Sequence, residues 1–287
     1  MKRKGELTTQ QLVTLIILIV SFGIILFLIF NLGLGETTNK EICHNSVLLK
    51  SKSVVGGELD CKTNYICISG GGKCEGFNED YTIKIDMNPK AKSKEEKNEK
   101  IKNQTMKAIA DEMTDCWWMF GEGKIDYVGL SIEKVIIGKM NCALCSIISF
   151  DKKIQEFGKE NENKFTYENF YDNFLRETKK DKSNTYLSYL YNVHNFEDVT
   201  AMIKINKDEF FEFEDQYSIL TGIGSQGYLQ KTANWIFVSV DLVNKYFFRG
   251  FNVPKAPQFK DYGTIPVVIK NKKELNSLDC TDFITKA

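Results

Sequence analysis

The sequence has few of the residues that usually bind metals or cofactors. Only two of its 287 residues are histidines, His44 and His194, and it contains no HExxH, EF-hand or P-loop motif. Acidic residues are abundant, but nothing selects a pair of carboxylates suited to hydrolysis. We therefore nominate no catalytic, cofactor-binding or metal-binding residue and expect no cofactor, so an enzyme is the less favoured class.

The sequence also lacks net charge, because 38 lysines and arginines balance 38 aspartates and glutamates. Without an excess of either sign, the chain as a whole has no general attraction to nucleic acid or to anionic lipid. We therefore expect no nucleic-acid partner.

Charged residues are missing altogether between Leu7 and Gly35. The densest apolar part, Leu12 to Leu32, would rise about 31 Å as a helix, which matches the hydrocarbon core of a bilayer. A cleaved secretory signal has an apolar run about half as long, followed by small residues at its cleavage site. The segment fits neither feature, so we predict a single transmembrane helix over residues 11–34 with the lipid bilayer as its partner.

Basic residues precede this segment, at Lys2, Arg3 and Lys4. The positive-inside rule places them in the cytoplasm, so residues 1–10 are predicted to be cytoplasmic and the rest extracytoplasmic. The predicted location is the cell membrane, with most of the chain outside it.

The tetrapeptide Lys4-Gly5-Glu6-Leu7, directly before the apolar run, resembles the archaeal class III (prepilin-like) signal. The resemblance implies cleavage between Gly5 and Glu6 on the cytoplasmic side, with the apolar helix retained. Two features differ from a pilin: Gly33 and Gly35 are expected to end the helix early, and the acidic residue near the start of a bacterial pilin helix is absent. A plain anchor is therefore favoured over a type IV pilin-like subunit. The whole chain also resembles a group of anchored, exported archaeal proteins that share stretches such as DCWWMFGEG and FITKA, and this resemblance implies no activity.

Cysteine is the residue type with the clearest pattern. All eight cysteines lie after the apolar segment, which places them outside the membrane, where disulfides persist. They are Cys43, Cys61, Cys67, Cys74, Cys116, Cys142, Cys145 and Cys280. We predict a disulfide framework in which the first four pair among themselves and the last four among themselves.

Cys142 and Cys145 form a CxxC motif, which also occurs in redox and zinc sites. A redox motif should open a helix, whereas the residues that follow, 146–150, have the composition of a strand. On a strand the two cysteines would point to opposite faces and bond to different partners. Structural disulfides are therefore favoured over a metal or a redox site.

The rest of the chain alternates between strand and helix patterns. Strands are predicted at Ile42–Lys50, Tyr65–Ser69, Tyr81–Met87, residues 146–150, Phe210–Thr221, Trp235–Val243 and Ile265–Lys270. Apolar residues recur every three or four positions from Met106 to Phe120, which predicts a helix that Gly121 ends. Further helices are predicted around Tyr167–Phe174, with Thr166 as cap, and at Thr185–Tyr191. The predicted fold is α+β with antiparallel strands, divided into a Cys-rich β piece at residues 35–89 and an ectodomain at 90–287.

Three smaller features complete the pattern. Trp118 lies off the apolar stripe of its helix and is expected to contact a neighbouring element or a partner. Gly222, Gly224 and Gly227 match the dinucleotide motif GxGxxG, but too few residues follow for a crossover helix, so we interpret them as a turn between antiparallel strands. Asn103 begins the sequon Asn-Gln-Thr and is a possible glycosylation site.

Two classes of function follow. The favoured one is an anchored surface protein that binds a protein partner or contributes to an envelope assembly. The alternative is an anchored hydrolase, which a pocket with two close carboxylates of perturbed pKa would support.

Overall fold

The computed structural model describes residues 13–23, 34–52, 59–127, 140–195, 197–199, 209–225, 262–277, 280 and 282–286. The predicted processing site at Gly5 and Glu6 and the predicted strand Trp235–Val243 lie outside these residues. So does Gly227, the last glycine of the GxGxxG match.

The described residues alternate between helices and strands. The helices are α1 (residues 13–23), α2 (Leu34–Lys52), α3 (Lys94–Met119), α4 (Lys152–Glu160) and α5 (Tyr186–Tyr191), with a π-helix at Asn169–Leu175. Short 3-10 helices lie at Gly121–Gly123, Glu162–Lys164 and Lys272–Ser277. The strands are β1 (Asn64–Ser69), β2 (Tyr81–Lys84), β3 (Met140–Phe150), β4 (Tyr217–Ser225), β5 (Tyr262–Asn271) and β6 (Asp282–Phe283). The chain therefore has the α+β composition predicted from the sequence.

Helix α1 lies inside the segment predicted to cross the membrane. Its large apolar side chains are solvent-exposed all round the helix, from Val13 to Phe22. No helix of the described residues is both long enough and apolar enough to cross a bilayer. The predicted transmembrane span, residues 11–34, includes residues 11–12 and 24–33, which lie outside the described residues.

Helix α2 corrects one prediction. The residues from Ile42 to Lys50, predicted to be a strand, are helical, and Gly35 lies in the first turn of the same helix. Packing against α3 explains the difference: the two helices are in contact, and Cys43 and Val47 are buried four residues apart on one face of α2.

Helix α3 is the long helix predicted from the apolar stripe. It begins after Ser93, whose side chain accepts a hydrogen bond from the backbone N–H of Glu96, as an N-cap does. It ends where predicted, because Gly121 has a φ of 73°, in the region that favours glycine. The stripe from Met106 to Phe120 is buried against the sheet and forms much of the core.

The sheet is mixed, which corrects the prediction of antiparallel strands. Its order is β2-β1-β3-β4-β5, with β6 also paired to β3. The pairs β2–β1, β1–β3 and β3–β6 are parallel, whereas β3–β4 and β4–β5 are antiparallel. Parallel neighbours need connections that cross over, and helix α3 lies in the connection from β2 to β3. The two strands from the Cys-rich segment, β1 and β2, therefore lie in the same sheet as the later strands.

Candidate functional site

Three charged side chains meet where α2 packs against α3, and two of them, Lys40 and Glu112, are largely buried. The Lys40 ammonium of α2 is 3.0 Å and 3.2 Å from the two carboxylate oxygens of Glu112 and 2.6 Å from Asp115 Oδ2. The hydroxyl of Tyr81 on β2 donates to Glu112 Oε1 at 2.7 Å, and Ser146 on β3 donates to Oε2 at 3.4 Å. We call these five residues the Lys40 cluster; they join two helices and two strands.

The electrostatics of the Lys40 cluster follow from its burial. Glu112 is only 4% exposed, and burial raises the pKa of its carboxyl, although Lys40 and Tyr81 oppose this. Burial alone would lower the pKa of Lys40, but the carboxylates of Glu112 and Asp115 outweigh it and raise that pKa. At neutral pH Lys40 is therefore an ammonium ion, and burial disfavours ionisation of Glu112.

The Lys40 cluster contains two close carboxylates, the feature that would have supported a hydrolase. Lys40 Nζ binds both of them, and both oxygens of Glu112 already accept hydrogen bonds from the protein. A hydrolytic pair needs room for a substrate bond between its carboxylates, or for a water beside it. Here the lysine occupies that position, so the geometry favours a structural role, in which Lys40 links α2 to α3.

Two further contacts hold α2 within one turn of Lys40. The Cys43–Cys61 disulfide links the helix to the residues just before β1. The ring of His44 stacks on Trp118 of α3, with centroids 4.1 Å apart, and His44 Nδ1 lies 2.8 Å from the Trp118 carbonyl oxygen. Trp118 thus contacts a neighbouring element, which is one of the two alternatives predicted for it.

A second polar site lies at the end of the parallel strands β1 and β3. The glycine-rich loop after β1 surrounds Asp151, whose Oδ2 accepts from Gly72 N–H at 2.7 Å and from the Ser69 hydroxyl at 2.9 Å. Its other oxygen accepts from Ile154 N–H and caps helix α4. A Cβ on Gly72 would lie 2.8 Å from Asp151 Oδ2, so a larger residue there would displace the carboxylate from its hydrogen bonds. The carboxylate of Asp151 thus occupies the position that a bound anion would take.

All eight cysteines are paired. Besides Cys43–Cys61, the bridges are Cys67–Cys74, Cys116–Cys145 and Cys142–Cys280. The first four cysteines pair among themselves and the last four among themselves, as predicted. Cys142 is bonded to Cys280, just before β6, and Cys145 is bonded to Cys116 on helix α3. Different partners for the two cysteines are expected for a CxxC motif on a strand.

The remaining predicted features are dispersed. Gly222 and Gly224 lie inside β4, paired with β5, so they are part of a strand and not the predicted turn. Asn103 is exposed on α3, whereas Thr105 of its sequon is buried. His194 is exposed. The part of the chain that the structure describes contains no group of three or more metal-binding side chains.

Sequence reasoning missed the central residues of the Lys40 cluster. Glu112 occupies a position within the apolar stripe of α3, one turn from both Ile109 and Cys116. A carboxylate at that spacing is expected to be buried, so it signals a buried partner. Lys40 could not be assigned to it, because the residues that follow it, Ile42–Lys50, were predicted to be a strand.

Comparisons with known proteins give no match to the chain among family models, curated proteins or solved structures.

Proposed function

We propose that the chain is a single-pass membrane-anchored surface protein whose disulfide-stabilised ectodomain binds a protein partner or forms part of a surface assembly. The observation that carries the proposal is the surface of α1. Eight large apolar side chains are exposed on this helix, at Val13, Leu15, Ile16, Ile17, Leu18, Ile19, Val20 and Phe22. A helix that is apolar on all sides is stable only when lipid or protein surrounds it.

The disulfides support the predicted compartment. Four bridges with no free cysteine among them are typical of proteins that fold in an oxidising environment. The basic residues before α1 would keep the N-terminus in the cytoplasm, so the oxidised part would lie outside.

Membrane fractionation tests the anchor. The full chain is expected to pellet with membranes, to resist extraction by high salt and carbonate, and to dissolve in detergent. A variant without residues 2–32 is expected to be released while retaining its four disulfides. Salt extraction of the full chain would contradict the anchor.

A pilin-like subunit is the second candidate, and one observation favours it. Helix α2, which follows the apolar segment, packs on the ectodomain through Lys40, Cys43 and His44. A pilin has the same order of parts, an apolar helix followed by a helix that packs against a globular domain. Of the two glycines expected to end the apolar helix, Gly35 lies within α2, and Gly33 lies outside the described residues.

The mass of the native N-terminus separates the two candidates. A plain anchor keeps Met1, whereas class III processing gives Glu6 as the first residue. If Glu6 is found, Gly5→Leu is expected to prevent the cut without releasing the protein from the membrane. A first residue beyond Leu34 would contradict both candidates.

A further inference from the structure

Residues 282–286, here called the closing strand, complete the sheet from the far end of the sequence. On one side they pair in parallel with β3, in the register Asn141 to Asp282 and Cys142 to Phe283. On the other side Lys286 pairs in parallel with Lys62, just before β1. The closing strand therefore fills a slot between two segments that enter the sheet much earlier in the chain.

The slot binds the closing strand mainly through backbone groups. Ile284 N–H donates to the Cys142 carbonyl at 2.9 Å and Lys286 N–H to the Cys61 carbonyl at 2.9 Å, while Thr63 N–H donates to the Lys286 carbonyl at 2.8 Å. Leu144 N–H donates to Thr285 Oγ1 at 3.1 Å. These bonds do not require the strand to belong to the same chain.

The side chains of the closing strand contribute little burial. Asp282, Phe283 and Lys286 are exposed, Phe283 by 48%. Ile284 and Thr285 are only partly buried. The hydrophobic core thus holds the closing strand weakly, and the covalent bond from Cys280 to the fully buried Cys142 is its strongest tie.

We propose that the slot between β3 and the residues before β1 is an assembly site, and that its partner is the closing strand of a second copy of this chain. Exchanging identical strands preserves every hydrogen bond of the slot and costs little free energy. The Cys142–Cys280 bridge would then join two chains. Its formation takes two electrons and two protons from two thiols, and a disulfide oxidant such as oxidised glutathione accepts them as its own S–S bond breaks to give two thiols.

The proposal rests on the proposed function only for the compartment in which such a bond persists. Exchange is measured on the purified full chain in detergent, and membrane attachment is measured separately. A negative result for strand exchange would therefore not contradict the proposed membrane anchor or compartment.

Two complementary variants make exchange visible. Cys280→Ala leaves a free Cys142 in the slot, and Cys142→Ala leaves a free Cys280 beside the closing strand. When the two proteins are mixed with oxidised glutathione, only exchange between chains can form the Cys142–Cys280 bond. We expect a covalent heterodimer on non-reducing gels, with the cross-linked peptide identified by mass, at several times the level of any dimer from either variant alone.

A matched control separates docking from random thiol chemistry. Cys142→Ala combined with Ile284→Pro keeps the same thiol but removes the N–H that bonds to the Cys142 carbonyl. The yield of heterodimer is expected to fall several-fold. An equal yield with this control, or no heterodimer from folded variants at millimolar concentration, would overturn the proposal.

The wild-type chain provides a test that does not depend on the folding of the variants. Reduced protein is reoxidised at increasing concentration, and the share of disulfide-linked dimer is measured. We expect that share to rise with concentration, with Cys142 linked to Cys280 in the dimer. Monomer alone at every concentration would contradict strand exchange.

Discussion

Glu112 shows how a single side chain can decide whether two elements stay together. It is nearly fully buried, and it accepts hydrogen bonds from residues on α2, β2 and β3. Such a carboxylate stabilises the fold only while its partners are present, since a buried charge without a partner is costly.

Replacing Glu112 by alanine is therefore expected to destabilise the protein. The change leaves the Lys40 ammonium with Asp115 alone and removes the acceptor of the Tyr81 hydroxyl. We expect a loss of about 2–3 kcal/mol, somewhat below the value for a fully buried pair, because the Lys40 side chain is still 16% exposed. Urea unfolding of the wild type and the variant at neutral pH measures this loss.

Glu99→Ala is the control for this change. Glu99 lies on the same helix and pairs with Lys102, but its side chain is 48% exposed. An exposed pair contributes less than about 1 kcal/mol. Equal losses of unfolding free energy in the two variants would mean that the Lys40 cluster stabilises the contact between α2 and α3 no more than an exposed ion pair does.

The pKa of Asp151 makes the stability of the folded protein depend on pH. Burial by itself would raise the pKa of Asp151, but hydrogen bonds from Ile154, Gly70, Gly72 and Ser69 outweigh burial and lower the pKa below the usual value. A lowered folded-state pKa stabilises the protein above the pKa of the unfolded aspartate, and this stabilisation is lost as the pH falls through the folded-state pKa.

Asp151→Asn keeps an oxygen that can cap α4 but puts an amide NH2 in place of Oδ2, which accepts from Gly72 and Ser69. We therefore expect it to cost about 1–3 kcal/mol at pH 7, as an unmet hydrogen bond to a charged group does, and less below pH 4. The difference in unfolding free energy between wild type and variant should shrink as the pH falls from 6 to 3. Asp60→Asn, at an exposed position before β1, is the control. A difference independent of pH would show that the charge of Asp151 is not involved.

At the scale of elements, α2 is the part with the most localised attachment. Lys40, Cys43 and His44 lie within five residues of one another; Lys40 and His44 hold the helix to α3, and Cys43 holds it to the residues just before β1. Removing one of these contacts should loosen α2 and leave the sheet intact.

Trp118→Ala tests this. The loss of the stacked His44 ring should speed hydrogen exchange in residues 40–52 several-fold, with little change in β1 and β3. Tyr65→Ala, which removes the aromatic contact between Tyr65 and Phe77, is the matched control and should leave α2 unchanged. Faster exchange throughout the protein after Trp118→Ala would mean that α2 is not a separate unit.

The elements also show what the sequence could and could not predict. Helix α3 and strand β1 were predicted because their residues repeat with a period that local geometry imposes. Helix α2 was misassigned, because its structure depends on a disulfide and on contacts with Glu112 and Trp118, which are about 70 residues away. The parallel pairing of β1 with β3 was missed for the same reason, since strand periodicity does not identify the neighbouring strand.

At the scale of the whole molecule, the four disulfides close loops of very different length. Their sequence separations are 138 for Cys142–Cys280, 29 for Cys116–Cys145, 18 for Cys43–Cys61 and 7 for Cys67–Cys74. In the chain-entropy model a bridge stabilises more when its loop is longer.

The separations predict an order of stability losses. Replacing both cysteines of a bridge by alanine should cost about 5 kcal/mol for Cys142–Cys280, about 3–4 kcal/mol for the two intermediate bridges and about 2 kcal/mol for Cys67–Cys74. Urea unfolding of the four double variants measures the order. If the loss of Cys67–Cys74 were the largest, strain or local packing would dominate over chain entropy.

The position of the closing strand has a consequence for the time course of folding. The central strand β3 is synthesised about halfway along the chain, and part of one edge has no pairing partner until residues 282–286 have been made. During synthesis, that edge stays open until more than a hundred further residues have been made. Contacts of such large sequence separation form slowly, so this part of the sheet is completed late in folding. A factor that binds open strand edges would have its longest opportunity to act at this stage.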